Sequence, residues 1–172
     1  FFTNSGTINP TNFNFDSTTT LFGSGIWSGA NISINASGNV LIGGNNIAFG
    51  SSNTLNFIIN AGGILNPNTR TVTMKGTSGT VNFTLNANGT TFNSGIFQTQ
   101  GTVNMNLRNS SYFNSPLKVN TGLTSVFNDN SGNTGIMYNT LTIDANAVFA
   151  ISGGGYFAQA NNNVINNGSI VG

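Results

Sequence analysis

Apolar and polar residues alternate over short stretches of this chain, as in Ile32-Ser33-Ile34, Leu55-Asn56-Phe57, Val81-Asn82-Phe83-Thr84-Leu85 and Val103-Asn104-Met105-Asn106-Leu107. Successive side chains of a strand point to opposite faces. Each stretch therefore predicts a short half-buried strand with its aliphatic and Phe side chains inward and Asn, Ser or Thr outward. No window repeats apolar residues at i, i+3, i+4 and i+7 over three turns, and Gly, Asn, Thr and Ser interrupt every candidate, so no helix is predicted.

The stretches also repeat. Thr54-Leu55-Asn56-Phe57-Ile58-Ile59-Asn60-Ala61-Gly62-Gly63 aligns with Thr80-Val81-Asn82-Phe83-Thr84-Leu85-Asn86-Ala87-Asn88-Gly89. Copies follow at Thr102 to Leu107 and, more loosely, at Leu123 to Asn128 and Thr140 to Asn146, with Asn31 to Gly38 upstream. The first apolar residues of the copies are Ile8, Ile32, Leu55, Val81, Val103, Leu123, Leu141 and Val164, at spacings of 24, 23, 26, 22, 20, 18 and 23. A second apolar cluster recurs within most copies: Val72/Met74, Ile96/Phe97, Leu117/Val119, Ile136/Met137 and Tyr156/Phe157. Each copy reads as two or three strands joined by Gly, Asn and Ser corners.

One copy cannot bury its apolar face, whereas stacked copies share a continuous core. The fold class expected is all-β: a parallel β-solenoid of about eight rungs of roughly 22 residues, with 1–172 as a single module. At about 4.8 Å per rung this rod would be roughly 38 Å long.

Composition changes the picture by exclusion. The 172 residues include three acids (Asp16, Asp129, Asp144), four bases (Arg70, Lys75, Arg108, Lys118), and no His, Cys or Glu. His-based triads, Cys nucleophiles and zinc sites built on His or Cys are ruled out by inventory. A net charge of +1 without a basic cluster gives no footprint for a phosphate backbone, so nucleic acid is not an expected partner. No apolar run is long enough to cross a bilayer as a helix. The chain holds 33 Asn, 23 Gly, 22 Thr and 17 Ser, but its 14 Phe and 37% hydrophobic residues argue for a folded core over disorder.

The solenoid gives the missing charge a cause. Equivalent side chains on adjacent rungs stand about 4.8 Å apart, where like charges repel by about 0.9 kcal/mol in water and about 3.5 at an effective dielectric of 20. Asn both donates and accepts, so the recurring Asn35, Asn60 and Asn86, and more loosely Asn128 and Asn146, are expected to stack as amide ladders. The phrase Asn4-Ser5-Gly6-Thr7-Ile8 returns as Asn166-Asn167-Gly168-Ser169-Ile170 at an offset of 162, which suggests one unit of a longer tandem array.

This Asn-x-Gly-Thr/Ser-Ile phrase, with Leu141-Thr142-Ile143-Asp144-Ala145-Asn146-Ala147, resembles rungs of large secreted bacterial β-helix proteins: filamentous-haemagglutinin-type exoproteins, autotransporter passenger domains and repetitive surface adhesins of Bacteroidetes. The resemblance implies a right-handed rod, an extracellular or cell-surface location, and a structural or adhesive role. The expected partners are neighbouring modules or copies of itself, with cell-surface glycans as a further candidate. The shared motif is structural, so it carries over no catalytic residue, cofactor or metal ligand.

Candidate chemistry is sparse. Pectate-lyase-like β-helices need carboxylates for Ca²⁺ and an Arg or Lys base, and glycosidases need a carboxylate pair about 5 to 10 Å apart. Asp16, Asp129 and Asp144 fall in different copies. Asp129, in the turn Asn128-Asp129-Asn130-Ser131-Gly132-Asn133, could touch Ca²⁺ but reads better as an Asx-type turn. Thr54, Thr80, Thr102 and Thr140 form a column too irregular, with Thr18 to Thr20 and Thr71/Thr73, for an ice-binding plane. Arg70, Lys75, Arg108 and Lys118 read as solubilising exposed cations, or as a sparse stripe for acidic glycans. Trp27 reads as core or as a contact between modules, with a sugar-stacking platform as the alternative; Tyr112, Tyr138 and Tyr156 are equally open. Curli-like repeats share the period but rely on spaced Gln, which occurs here only at Gln98, Gln100 and Gln159. The function expected is non-enzymatic and structural, with glycan binding or a remnant lyase as the competitor.

Overall fold

The computed structural model describes residues 1–50, 53–86, 90–91, 95–107, 112–120, 124–128, 136–137, 140–152, 158–159 and 163–172. Among them every regular element is a strand. The strands stack in parallel on three faces. Face A is an eight-stranded sheet: Phe2–Thr3, Thr18–Phe22, Asn39–Ile42, Ile64–Asn66, Thr90–Thr91, Tyr112–Phe113, Ile136–Met137 and Ala158–Gln159. Face B runs through Thr7–Ile8, Ile26–Trp27, Ile47–Phe49, the first part of Thr71–Leu85, the first part of Ile96–Leu107, Leu117–Val119, Leu141–Ile143 and Val164–Asn166. Face C runs through Asn12–Phe15, Asn31–Ile34, Leu55–Ile59, the later parts of the same two long strands, Thr124–Asn128, Val148–Ser152 and Ser169–Val171. The chain passes from A to B to C and back to A, which makes the fold the parallel β-solenoid that alternation and repetition predict.

Faces B and C join into one fourteen-stranded sheet because Thr71–Leu85 and Ile96–Leu107 bend from one to the other without interruption. Glycine makes that bend possible. Gly76 pairs with Gly101, whose φ is +83°, and a Cβ on Gly101 would lie 1.9 Å from the carbonyl oxygen of Gly76. No L side chain fits there.

Inward columns fill the space between the faces. On face C, Ile32, Phe57, Phe83 and Met105 follow one another in register; on face B, Trp27, Phe49, Met74, Thr99, Val119 and Ile143 do so. All are buried. Aromatic rings form a continuous spine from Phe2 through Trp27, Phe49, Phe57, Phe83 and Phe97 to Phe113, with centroids 4.7 to 6.2 Å apart. Each such pair adds about 0.5 to 1.5 kcal/mol beyond the area it buries. One inward column of face A is partly polar: Thr91, fully buried between Leu65 and Phe113, accepts the backbone N–H groups of Asn114 at 3.0 Å and Ser115 at 3.2 Å.

The register corrects the repeat. Ile8, Leu141 and Val164 lie on face B, whereas Ile32, Leu55, Val81 and Val103 lie on face C. Leu123 lies outside the described residues. Within face C, Ile32 pairs with Phe57, two residues beyond Leu55. The cluster Ile136/Met137 belongs to face A and not with Val72/Met74 on face B, and Tyr156/Phe157 lies outside the described residues. Register-matched positions on face C are Asn12, Asn31, Asn56, Asn82, Asn104, Val126, Ala150 and Val171. All three faces carry the same alternation, so hydrophobicity alone does not say which face a strand joins.

The terminal phrases likewise occupy different corners. The N–H of Gly6 donates to Asn4 Oδ1 at 3.0 Å and that of Gly168 to Asn166 Oδ1 at 3.1 Å, the same Asx turn. The first leads into face B and the second into face C. Their likeness reports corner chemistry, not equal positions in the coil.

Candidate functional site

The most regular surface of the molecule is the outward side of face C. Alternation turns Asn12, Asn31, Asn56, Asn82 and Asn104 outward, and parallel pairing places them in one column. Each amide donates from Nδ2 to Oδ1 of the preceding Asn: Asn31 to Asn12 at 2.9 Å, Asn56 to Asn31 at 3.0 Å, Asn82 to Asn56 at 2.9 Å and Asn104 to Asn82 at 2.9 Å. Beyond Asn104 the register continues to Val126 and Ala150, so the amide column ends because the residue type changes while the backbone pairing persists.

A second ladder stands four residues further along each strand. Asn86 donates to Asn60 and Asn60 to Asn35, both at 2.8 Å, and Asn35 donates to the carboxylate of Asp16. Every donor in both ladders points toward the N-terminal coil. Asp16 has no amide donor to leave unused and so suits the foot of the column.

This second ladder is the one expected at Asn35, Asn60 and Asn86. Asn128 and Asn146 do not belong to it: Asn128 pairs with Asn106 between the two ladders, and Asn146 occupies an exposed turn at φ +62°. The longer ladder at Asn12, Asn31, Asn56, Asn82 and Asn104, and the role of Asp16, escape a reading of the repeat alone. Their signal is the Asn that opens the polar alternation in each copy, as in Leu55-Asn56-Phe57 and Val81-Asn82-Phe83.

The remaining candidates are scattered. Trp27 is 1% exposed and packs against the rings of Phe2, Phe13, Phe15 and Phe49, which overturns a sugar platform at this position. Thr80 pairs with Thr102 on the B side of face C, but Thr140 precedes a face B strand and leaves their column. Thr18 to Thr20 sit on face A and Thr71 and Thr73 on face B, so these hydroxyls share no plane. Arg70 is exposed at the entry to face B, which also carries Lys75 and Lys118. Lys118 lies in register between the neutral Gln98 and Thr142, and its Nζ meets Asp144 Oδ2 at 3.2 Å. Asp16 and Asp144 stand near opposite ends of the stack. Asp129, Arg108, Tyr138 and Tyr156 lie outside the described residues, and Tyr112 is a face A strand residue.

The described residues form no pocket and no cluster of three acidic side chains. What face C offers is hydrogen bonding at a fixed pitch. A primary amide has two N–H groups and two lone pairs; the inner members of the ladder spend one of each on it, and Asn31 spends its second N–H on the Thr11 carbonyl at 3.2 Å, so the remaining capacity toward a partner lies mainly at the other members. Comparison with protein-family models, curated proteins and solved structures finds no match to this chain.

Proposed function

We propose that this chain is a non-enzymatic structural module of a long extracellular rod, of the kind built by secreted bacterial β-helix adhesins, acting through stiffness, repetition and self-association. The observation that carries the reading is the five-membered amide ladder of Asn12, Asn31, Asn56, Asn82 and Asn104, whose four hydrogen bonds tie successive coils together from outside while the aromatic spine ties them from inside. We propose further that the chain makes eight coils of roughly 22 residues wound to the right. The eight-stranded sheet of face A supports the count. The preference of parallel crossover connections for the right hand supports the handedness. A sequence with neither His nor Cys supports the absence of catalysis.

The competing reading is a glycan-directed module, and a glycan array probed with the 172-residue chain separates the two. A structural module gives no saturable hit. A specific hit, competed by the free sugar and lost on replacing outward Asn side chains of face C, would overturn the structural reading.

A further inference from the structure

Across the five strands from Asn12–Phe15 to the end of Ile96–Leu107, face C presents three outward columns. One outer column is the five-membered Asn ladder, the other is Asp16, Asn35, Asn60 and Asn86 at the ends of the first four of these strands, and the middle one is Asn14, Ser33, Ile58, the buried Thr84 and Asn106. Among these outward residues Ile58 alone is apolar, it is half-buried, and it occupies the third strand of five and the middle column of three. An apolar centre ringed by polar, uncharged groups is the anatomy of a protein docking patch. Asp16 is charged and stands at one corner of this patch; Arg108, which follows the fifth strand in sequence, lies outside the described residues.

We propose that face C is a lateral docking surface for a second copy of this chain, centred on Ile58. This deepens the self-association reading above and rests on it. Three arguments favour a second copy. A copy presents outward amides at the same pitch of about 4.8 Å and with the same residue type, so its ladder stays in step with the five-membered ladder of the first. A net charge of +1 on 17.8 kDa provides almost no repulsion between copies. A two-fold axis lying in the contact plane and passing through the face centre sets Ile58 against Ile58, which makes the contact isologous and self-complementary. The area sets the strength. Five strands about 4.8 Å apart and five residues of about 3.3 Å give roughly 400 Å² per copy, or about 800 Å² in all. That lies below the roughly 1,200 Å² of a stable interface, so one pair of modules associates weakly and reversibly. Repetition along a longer rod would multiply it.

Sedimentation velocity on the 172-residue chain, taken up to about 1 mM, tests the proposal. The expected result is a reversible rise in sedimentation coefficient with concentration. Ile58→Lys and Ile58→Glu each abolish the rise, and an equimolar mixture of the two restores it. Thr20→Lys on the outward side of face A leaves it unchanged, and far-UV circular dichroism confirms that each variant is folded. A chain monomeric throughout, or one whose association survives Ile58→Lys, overturns the proposal; the second outcome would place the contact elsewhere, such as at the coil ends. A glycan-array hit with intact self-association would instead overturn the structural reading and leave this contact standing.

Discussion

The five-membered amide column of face C and one outward column of face B meet the same constraint in opposite ways. Both stack side chains at the strand spacing of about 4.8 Å. Face C repeats one self-complementary group, Asn12, Asn31, Asn56, Asn82 and Asn104, and links each to the next. Face B varies: Thr7, Ile26, Ala48, Thr73, Gln98, Lys118, Thr142 and Ile165 share one register, with Gln98 Nε2 reaching Thr73 Oγ1 at 3.5 Å. Its one charge, Lys118, has neutral neighbours above and below and finds its counter-ion diagonally at Asp144. A repeated column is thus strong where every member conforms, and a varied column tolerates change because little depends on any member.

Substitutions can break or sharpen this contrast. The largest effect is expected where the two faces join: Gly101→Val would drive a side chain into the Gly76 carbonyl and cost more than about 4 kcal/mol, read as loss of a cooperative melting transition. Phe83→Ala, which opens a cavity beneath the face C ladder and interrupts the spine, is expected to cost about 3 to 5 kcal/mol by urea titration.

The direct test of the ladder is Asn82→Asp. The new carboxylate accepts from Asn104 but faces the Asn56 oxygen with no hydrogen to donate, at a cost of about 1 to 3 kcal/mol at neutral pH. The folded state favours the protonated, donating form, so the folded pKa of the introduced carboxyl should lie above its unfolded value of about 3.9. Stability relative to the native chain is then recovered below that unfolded value and lost as pH rises through the folded one. Melting curves across that range that show no recovery would sink the account.

On face B the same kind of change should be mild. Asp144→Asn should cost less than about 1 kcal/mol in denaturant titration, because Lys118 and Asp144 are 39% and 24% exposed. Gln98→Glu, in register with Lys118, should fall within about 0.5 kcal/mol of the native chain. If Gln98→Glu proved as costly as Asn82→Asp, the two columns would not differ as described.

Much of this could be read from residues in order. Inward Phe57 and Phe83 with outward Asn56 and Asn82 follow from alternation, and the stacking of Asn35, Asn60 and Asn86 follows from their place after matching strands. Long-range partners could not be read so directly. Asp16 beneath Asn35, Lys118 beside Asp144 and Trp27 within a cage of Phe rings each depend on how many residues the intervening corners consume. Gly, Asn and Ser accept corners of several lengths, and the spacing between ladder members duly ranges from 19 to 26 residues.

The sequence by itself determined that the chain is built of short strands, which side of each strand faces in, and that neutral amides would stack, because these follow from a two-residue period and from what Asn can donate and accept. Only the tertiary structure decided which of three faces each strand joins and the two-residue shift that pairs Ile32 with Phe57. It alone set Ile58 at the centre of an amide face. Those depend on closure of whole coils, where burial of the aromatic spine outweighs small local preferences at the corners.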